Sequence, residues 1–276
     1  MNMNQKIINR ICCIALIGWF LWAMQLFCAQ DKEESFAQRG TVQERMEEKV
    51  HNVWSTVVEG IRQGAEGKIN ESDGRNKKPT VVIDAGHGGM DPGKVGVSGA
   101  LEKEINLAIA KELKELLEQN DITVVMTRTD DNGLYSETDR NKKSADMKER
   151  IQLLTEAAPV LAVSIHQNSF TDSKSRGAQV FYYEGSAEGK RGAELIQEAM
   201  RRELADGNHR LAKANTSYYM LKKSPCPLVI IECGFLSNPQ EEQQLLTAKY
   251  QRKVAWAVHL GVLEWMAKLQ EKNGNE

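Results

Sequence analysis

The feature that most constrains this chain is a repeated change of hydrophobic period between residues 80 and 267. Short apolar runs alternate with longer stretches in which apolar positions recur every three or four residues. The runs at 80–84, 122–127, 160–165, 178–183, 218–221 and 228–233 read as strands, being short and rich in β-branched or aromatic residues. The stretch 104–119 sets Ile105, Ile109, Leu113 and Leu116 on one helical face, and 250–267 does the same with Val254, Val258, Val262 and Trp265. A further helix is expected near 187–204. Strand, helix and strand in succession make a βαβ unit, whose crossover helix returns the chain for a parallel neighbour. The expected fold is α/β: a single domain with a mostly parallel open sheet and helices on both faces, preceded by an N-terminal transmembrane or signal segment.

In such sheets the crevice beyond the carboxyl ends of the strands gathers functional side chains. Three runs lead there into groups able to hold a metal: His87 follows TVVIDAG, His166 follows VLAVSI, and Glu232 follows PLVII. Glu102, just before the first helix, returns over the same edge, with Glu104 beside it as a decoy. Either histidine alone would read as structural, but the combination reads as a site. Two imidazoles and a carboxylate form a common hydrolytic zinc set that leaves a position for water. A second carboxylate can take that water's proton and pass it to a departing nitrogen. This chemistry leaves open which of Glu102 and Glu232 ligates.

The glycines around His87, namely Gly86, Gly88, Gly89 and Gly93, let backbone approach a metal or substrate closely. Their order matches neither a dinucleotide fingerprint nor a P-loop. No G-x-S-x-G elbow supports a serine hydrolase, although Ser164 lies near His166. With a formal net charge of -2 and no basic stripe interleaved with aromatics, nucleic acid is not an expected partner.

Upstream, residues 11–29 are apolar apart from Gln25, follow Lys6 and Arg10, and precede Asp31, Lys32, Glu33 and Glu34. This is a signal or membrane anchor (1–30) with its start in the cytoplasm, so the bulk of the chain is expected outside, on the outer face of the cytoplasmic membrane. Phe27 disfavours cleavage after Ala29, and Cys28 lacks a lipobox, so retention as an anchor is favoured over secretion. Residues 31–79 follow as a juxtamembrane amphipathic helix and linker. Val42, Met46, Val50, Val53, Val57 and Ile61 recur there at helical spacing, as a stalk or a docking surface for an accessory protein. The catalytic domain is expected at 80–270. Cys12, Cys13 and Cys28 fall in the anchor, and Cys226 and Cys233 read as inert core thiols.

The blocks VVIDAGHGGMDPG, LEKEINLAIA, SIHQNS and IIECGFLSNPQEEQQLL, in that order, resemble the four signatures of the zinc-dependent N-acetylmuramoyl-L-alanine amidase family, amidase type 3. The resemblance implies a hydrolase that cuts the amide between N-acetylmuramic acid and L-alanine in peptidoglycan. It implies Zn2+ held by His87, Glu102 and His166, with Glu232 as the catalytic carboxylate. AKANTSYYMLKKSPCPLVIIECGFLSN, KYQRKVAWAVHLGVLEW and RGAQVFYYEG resemble the germination-specific branch of spore formers. That branch strips peptide from muramic acid in spore cortex, where a deacetylase then closes the muramic δ-lactam. The resemblance thus implies a role in sporulation and germination, in the space between forespore and mother-cell membranes.

Residues 187–227 are too short for the regulatory helical insert of some relatives, and wall-binding repeats are missing. The block around Arg150 lacks the usual Ala-Asn pair, and no function is attached to Arg150. Asn168 is a candidate for a hydrogen bond to substrate or ligand. Rival readings are a general wall-lytic amidase, a zinc peptidase acting within the stem peptide, and a non-catalytic wall-binding factor whose zinc is closed by four protein ligands.

Overall fold

The computed structural model describes residues 78–274. The apolar segment 11–29, the amphipathic stretch 42–61 and residues 71–77 of the linker lie outside the described residues. In chain order the elements are β1 (Thr80–Ala85), α1 (Glu102–Glu118), β2 (Thr123–Met126), α2 (Lys142–Ala157), β3 (Leu161–Asn168), β4 (Gln179–Tyr183), α3 (Ala187–Leu204), β5 (Lys213–Asn215), α4 (Tyr219–Lys223), β6 (Leu228–Phe235), α5 (Pro239–Leu245) and α6 (Ala248–Gly274). Among the described residues no helix is long and apolar enough to cross a membrane.

The six strands form one sheet in the order β2-β1-β3-β6-β4-β5. Four of the five pairings are parallel, and β4 runs antiparallel to β6, so the sheet is mixed. Burial on both faces explains why the central strands are almost continuously apolar. Val82, Ala162, Leu228 and Ile230 point toward α2 and α4, where they meet Leu154, Met220 and Leu221. Their neighbours Val81, Ile83, Val163, Ile165 and Ile231 are also buried and point to the other face, covered by α1, α3 and α6. Val254, Val258, Val262 and Trp265 of α6 are fully buried, as their spacing predicts. Where α6 crosses α3, a Cβ built on Gly261 would stand 2.5 Å from the Ile196 Cα, so the two backbones almost touch.

Side-chain alternation also positions the site. The set that faces α2 and α4 continues along the strands into Asp84, Ser164, His166 and Glu232, and His166 is registered opposite Glu232.

Residues 218–221, expected as a strand, instead enter helix α4. The Asn215 side-chain oxygen accepts the N–H groups of Ser217 and Tyr218 at 2.8 Å each, which turns the chain into the helix. Helices α2 and α5 and the three-residue strand β5 are absent from the sequence-based expectation. Helix α5 starts at an Asn238 cap, whose side chain accepts from Gln240 N and Glu241 N, with Pro239 following. Cys226 and Cys233 are both free thiols, and burial pushes both up from the usual thiol range.

Candidate metal centre

Strand β1 ends at Ala85, and the backbone then reverses sharply. His87 sits at φ 64°, in the left-handed region that few residues other than glycine adopt, and Gly88 and Gly89 follow at φ 135° and 56°. This turn lifts the imidazole over the sheet edge. His87 Nε2 lies 3.2 Å from Glu102 Oε2, and His166 Nδ1 lies 3.0 Å from Glu102 Oε1. The two rings meet edge to face with centroids 4.9 Å apart. One donor atom from each of His87, Glu102 and His166 can be chosen so that all lie within 4.8 Å of one another. Glu104, the neighbouring decoy, is exposed.

The carboxylate between the rings is fixed from several directions. Lys94 N donates to Glu102 Oε2 at 2.7 Å, while Gln167 N at 3.0 Å and Asn106 Nδ2 at 3.3 Å donate to Oε1. Burial pushes Glu102 up, but hydrogen bonds from His166 and His87 outweigh it and hold the carboxyl far below the usual carboxylate range. His166 is pushed down by burial, but Glu102, joined by the Glu232 and Asp84 charges, raises it on balance above the usual imidazole range. A buried, ionised carboxylate facing two imidazoles is a seat for positive charge, and the donor types fit a zinc ion with a position left over.

Glu232 differs in kind. It is buried, its Oε2 has no hydrogen-bond partner, and burial together with the Glu102 charge pushes its pKa up, against the pull of His166 and His87. It lines the same cleft of about 420 Å3 as His87 and His166. A carboxylate with a free oxygen and a raised pKa is suited to taking a proton and giving it back. The Asn168 side-chain oxygen accepts from Ser169 N at 2.8 Å.

Beneath the turn lies a polar network to which the sequence pattern attached no role. Arg150, buried in α2, donates to Asp84 Oδ1 at 2.5 Å, Asp146 Oδ2 at 2.6 Å, Ala85 O at 2.9 Å and His87 O at 2.6 Å. Arg128 donates to Ala85 O at 2.9 Å and Gly86 O at 3.1 Å. Two guanidinium groups thus hold three successive carbonyls of the turn that presents His87. Asp84 is driven up by burial, yet Arg150 and Ser164 bring it down to about 2. On the far side Asp91 Oδ2 lies 3.1 Å from His87 Nδ1, leaving Nε2 to face Glu102. Gly86 cannot carry a side chain, since a Cβ there would stand 2.3 Å from His166 Nε2.

The sequence pattern of N-acetylmuramoyl-L-alanine amidases matches residues 81–264. The germination-specific N-acetylmuramoyl-L-alanine amidase of Bacillus subtilis (strain 168) is 37% identical over 188 residues, covering 67% of this chain and 78% of its own. The N-acetylmuramoyl-L-alanine amidase AmiA of Escherichia coli (strain K12) is 29% identical over 231 residues, 68% of this chain and 76% of its own. Among solved structures, the CwlD amidase of Clostridioides difficile, determined in complex with the GerS lipoprotein, superposes with a TM-score of 0.67 at 39% identity. That superposition spans 69% of this chain and 100% of the other.

Proposed function

The chain belongs to the N-acetylmuramoyl-L-alanine amidase family, and on that premise we propose that it is a zinc enzyme of spore cortex maturation. Its ligands are His87, Glu102 and His166, and Glu232 is its general base. The observation that carries this reading is the ionised Glu102 carboxylate buried between two imidazoles, beside a second carboxylate with an unpartnered oxygen.

Zinc, when bound, supplies a Lewis acid that polarises the scissile carbonyl and acidifies water near neutral pH. Glu232 accepts the proton of the attacking water as the new C–O bond forms at the lactyl carbonyl carbon. As the C–N bond breaks, Glu232 returns the proton to the departing L-alanine nitrogen, so one water is consumed and no charge is left over. Glu102 stays ionised throughout, held by Lys94 N and Gln167 N. Asp91 keeps the His87 ring turned toward the metal position.

Identity to the germination-specific and CwlD amidases supports the cortex role, with a deacetylase closing the δ-lactam afterwards. By the same analogy an accessory lipoprotein is a partner, and the stretch 42–61 is its candidate contact. Residues 1–30 anchor the chain to the outer face of the cytoplasmic membrane, and 80–270 form the catalytic domain.

The test is digestion of purified vegetative and cortex peptidoglycan with added zinc or with chelator, read by mass spectrometry. Free peptides beginning at L-alanine, released with zinc alone, are expected. Cleavage inside the stem peptide, or equal release under chelation, would overturn the reading. Loss of muramic δ-lactam from the cortex of a deletion strain checks the sporulation role.

A further inference from the structure

The cleft has two unlike walls. Tyr218, Tyr219 and Met220 form an aromatic and apolar side, and the Tyr218 ring is braced edge to face on Phe181 with centroids 5.6 Å apart. At Asp91, Lys143 and Asp146 the cleft adjoins a second groove of about 520 Å3, which runs along the start of α2 past Tyr135 and Arg140.

Charge in this second groove is unevenly used. Its carboxylates are engaged inside the protein: Asp91 by His87 and Lys143, Asp139 by Ser136 N, and Asp146 by Arg150 and Leu134 N. Lys142 is held by Glu137. Arg140, by contrast, is exposed and makes no ion pair or hydrogen bond among the described residues. Lys143 only shares Asp91 with His87, and its side chain is 72% exposed. The groove therefore presents two incompletely matched cations beside the metal centre.

The substrate is divided in the same way. On one side of the scissile amide lie sugars, uncharged and able to stack on aromatic rings. On the other lies a peptide whose residue after L-alanine is acidic. We infer that the second groove is the stem-peptide subsite, in which Arg140, assisted by Lys143, pairs with the free carboxylate of that acidic residue, while Tyr218 and Tyr219 face the glycan. This rests on the amidase reading above. A guanidinium is suited to the task because its planar fork matches a carboxylate. Since the pair is open to solvent, its contribution to kcat/KM is about tenfold rather than thousands.

The experiment uses the full chain with zinc and two sets of soluble glycan strands. In one set the D-glutamyl residue after L-alanine bears its free α-carboxylate, and in the other that group is a carboxamide. Wild type is expected to favour the acid strand by about tenfold in kcat/KM. In Arg140→Ala this ratio falls toward one, with the loss on the acid strand appearing in KM, and Lys143→Gln moves it in the same direction. Tyr219→Ala should slow both strands together and leave the acid-to-amide ratio intact. Equal rates of wild type on the two strands, or an undiminished ratio in Arg140→Ala, would overturn the subsite. Cleavage of neither strand by wild type would instead remove the amidase reading beneath it.

Discussion

His87 takes a left-handed conformation, and Arg150 from α2 donates to its carbonyl, so the proposed ligand and the group that holds its backbone can be tested apart. Replacing Glu232 with Gln removes the proton acceptor while retaining bulk. Zinc content should stay at the wild-type level, while kcat falls by a factor of about 100 to 10,000. Near-wild-type turnover would defeat the base assignment. Arg150→Met leaves Asp84 buried without its counter-charge and takes a donor from two carbonyls, those of Ala85 and His87. Breaking a buried pair this way costs on the order of 3–5 kcal/mol, measurable by urea unfolding, and zinc should bind more weakly as well. That His87, Glu102, His166 and Glu232 lie together was legible because each follows an apolar run or opens a helix at one edge of the sheet. Arg150 was not, because its partner Asp84 lies 66 residues away and nothing local distinguishes it from a surface arginine on a charged helix.

Among the elements, legibility followed apolar pattern. Helix α6 was readable from Val254 to Trp265, whereas α2 fully buries only Arg150 and Leu154 and so shows no apolar stripe. The Tyr-Tyr-Met-Leu run at 218–221 has strand composition, and a side-chain bond from Asn215 decides for helix instead. Strand β5 is three residues at the sheet edge, too short for any alternation to register. Nor could local pattern reveal that β4 is antiparallel to β6, since both are buried either way. The crossing of α3 and α6 gives an element-level prediction. Alanine normally favours a helix interior over glycine by about 1 kcal/mol. At Gly261 its methyl would meet the Ile196 backbone, so Gly261→Ala should destabilise instead, by about 1–3 kcal/mol of overpacking, as read by urea unfolding. A more stable variant would show that the helices can part freely.

For the molecule as a whole, buried titratable groups make stability depend on pH. His259 is fully buried on α6, donates from Nε2 to Asn120 Oδ1 at 2.6 Å, and is pushed by burial down to about 4. The unfolded chain takes up that proton near pH 6.5, and the folded chain does so only near 4. This group's support for folding is therefore complete above pH 6.5 and is lost as the pH falls toward 4, up to about 3 kcal/mol in all. His259→Gln should flatten that part of the urea stability profile. Asp84 acts lower down, its contribution fading as pH drops from 3.8 to about 2. Zinc binding to the folded state should raise Tm in proportion to the logarithm of free metal. Chelator should reverse the rise, and His87→Ala should make Tm insensitive to both. The strand order, finally, bears on when activity can arise during synthesis. Strand β6, the last strand made, lies in the middle, joining β2-β1-β3 to β4-β5 and carrying Glu232 opposite His166. A nascent or truncated chain ending before residue 228 has two sheet fragments with no seam and lacks Glu232. An enzyme built this way has no active partial product, and cutting begins only once the seam strand has been added and the two fragments are joined.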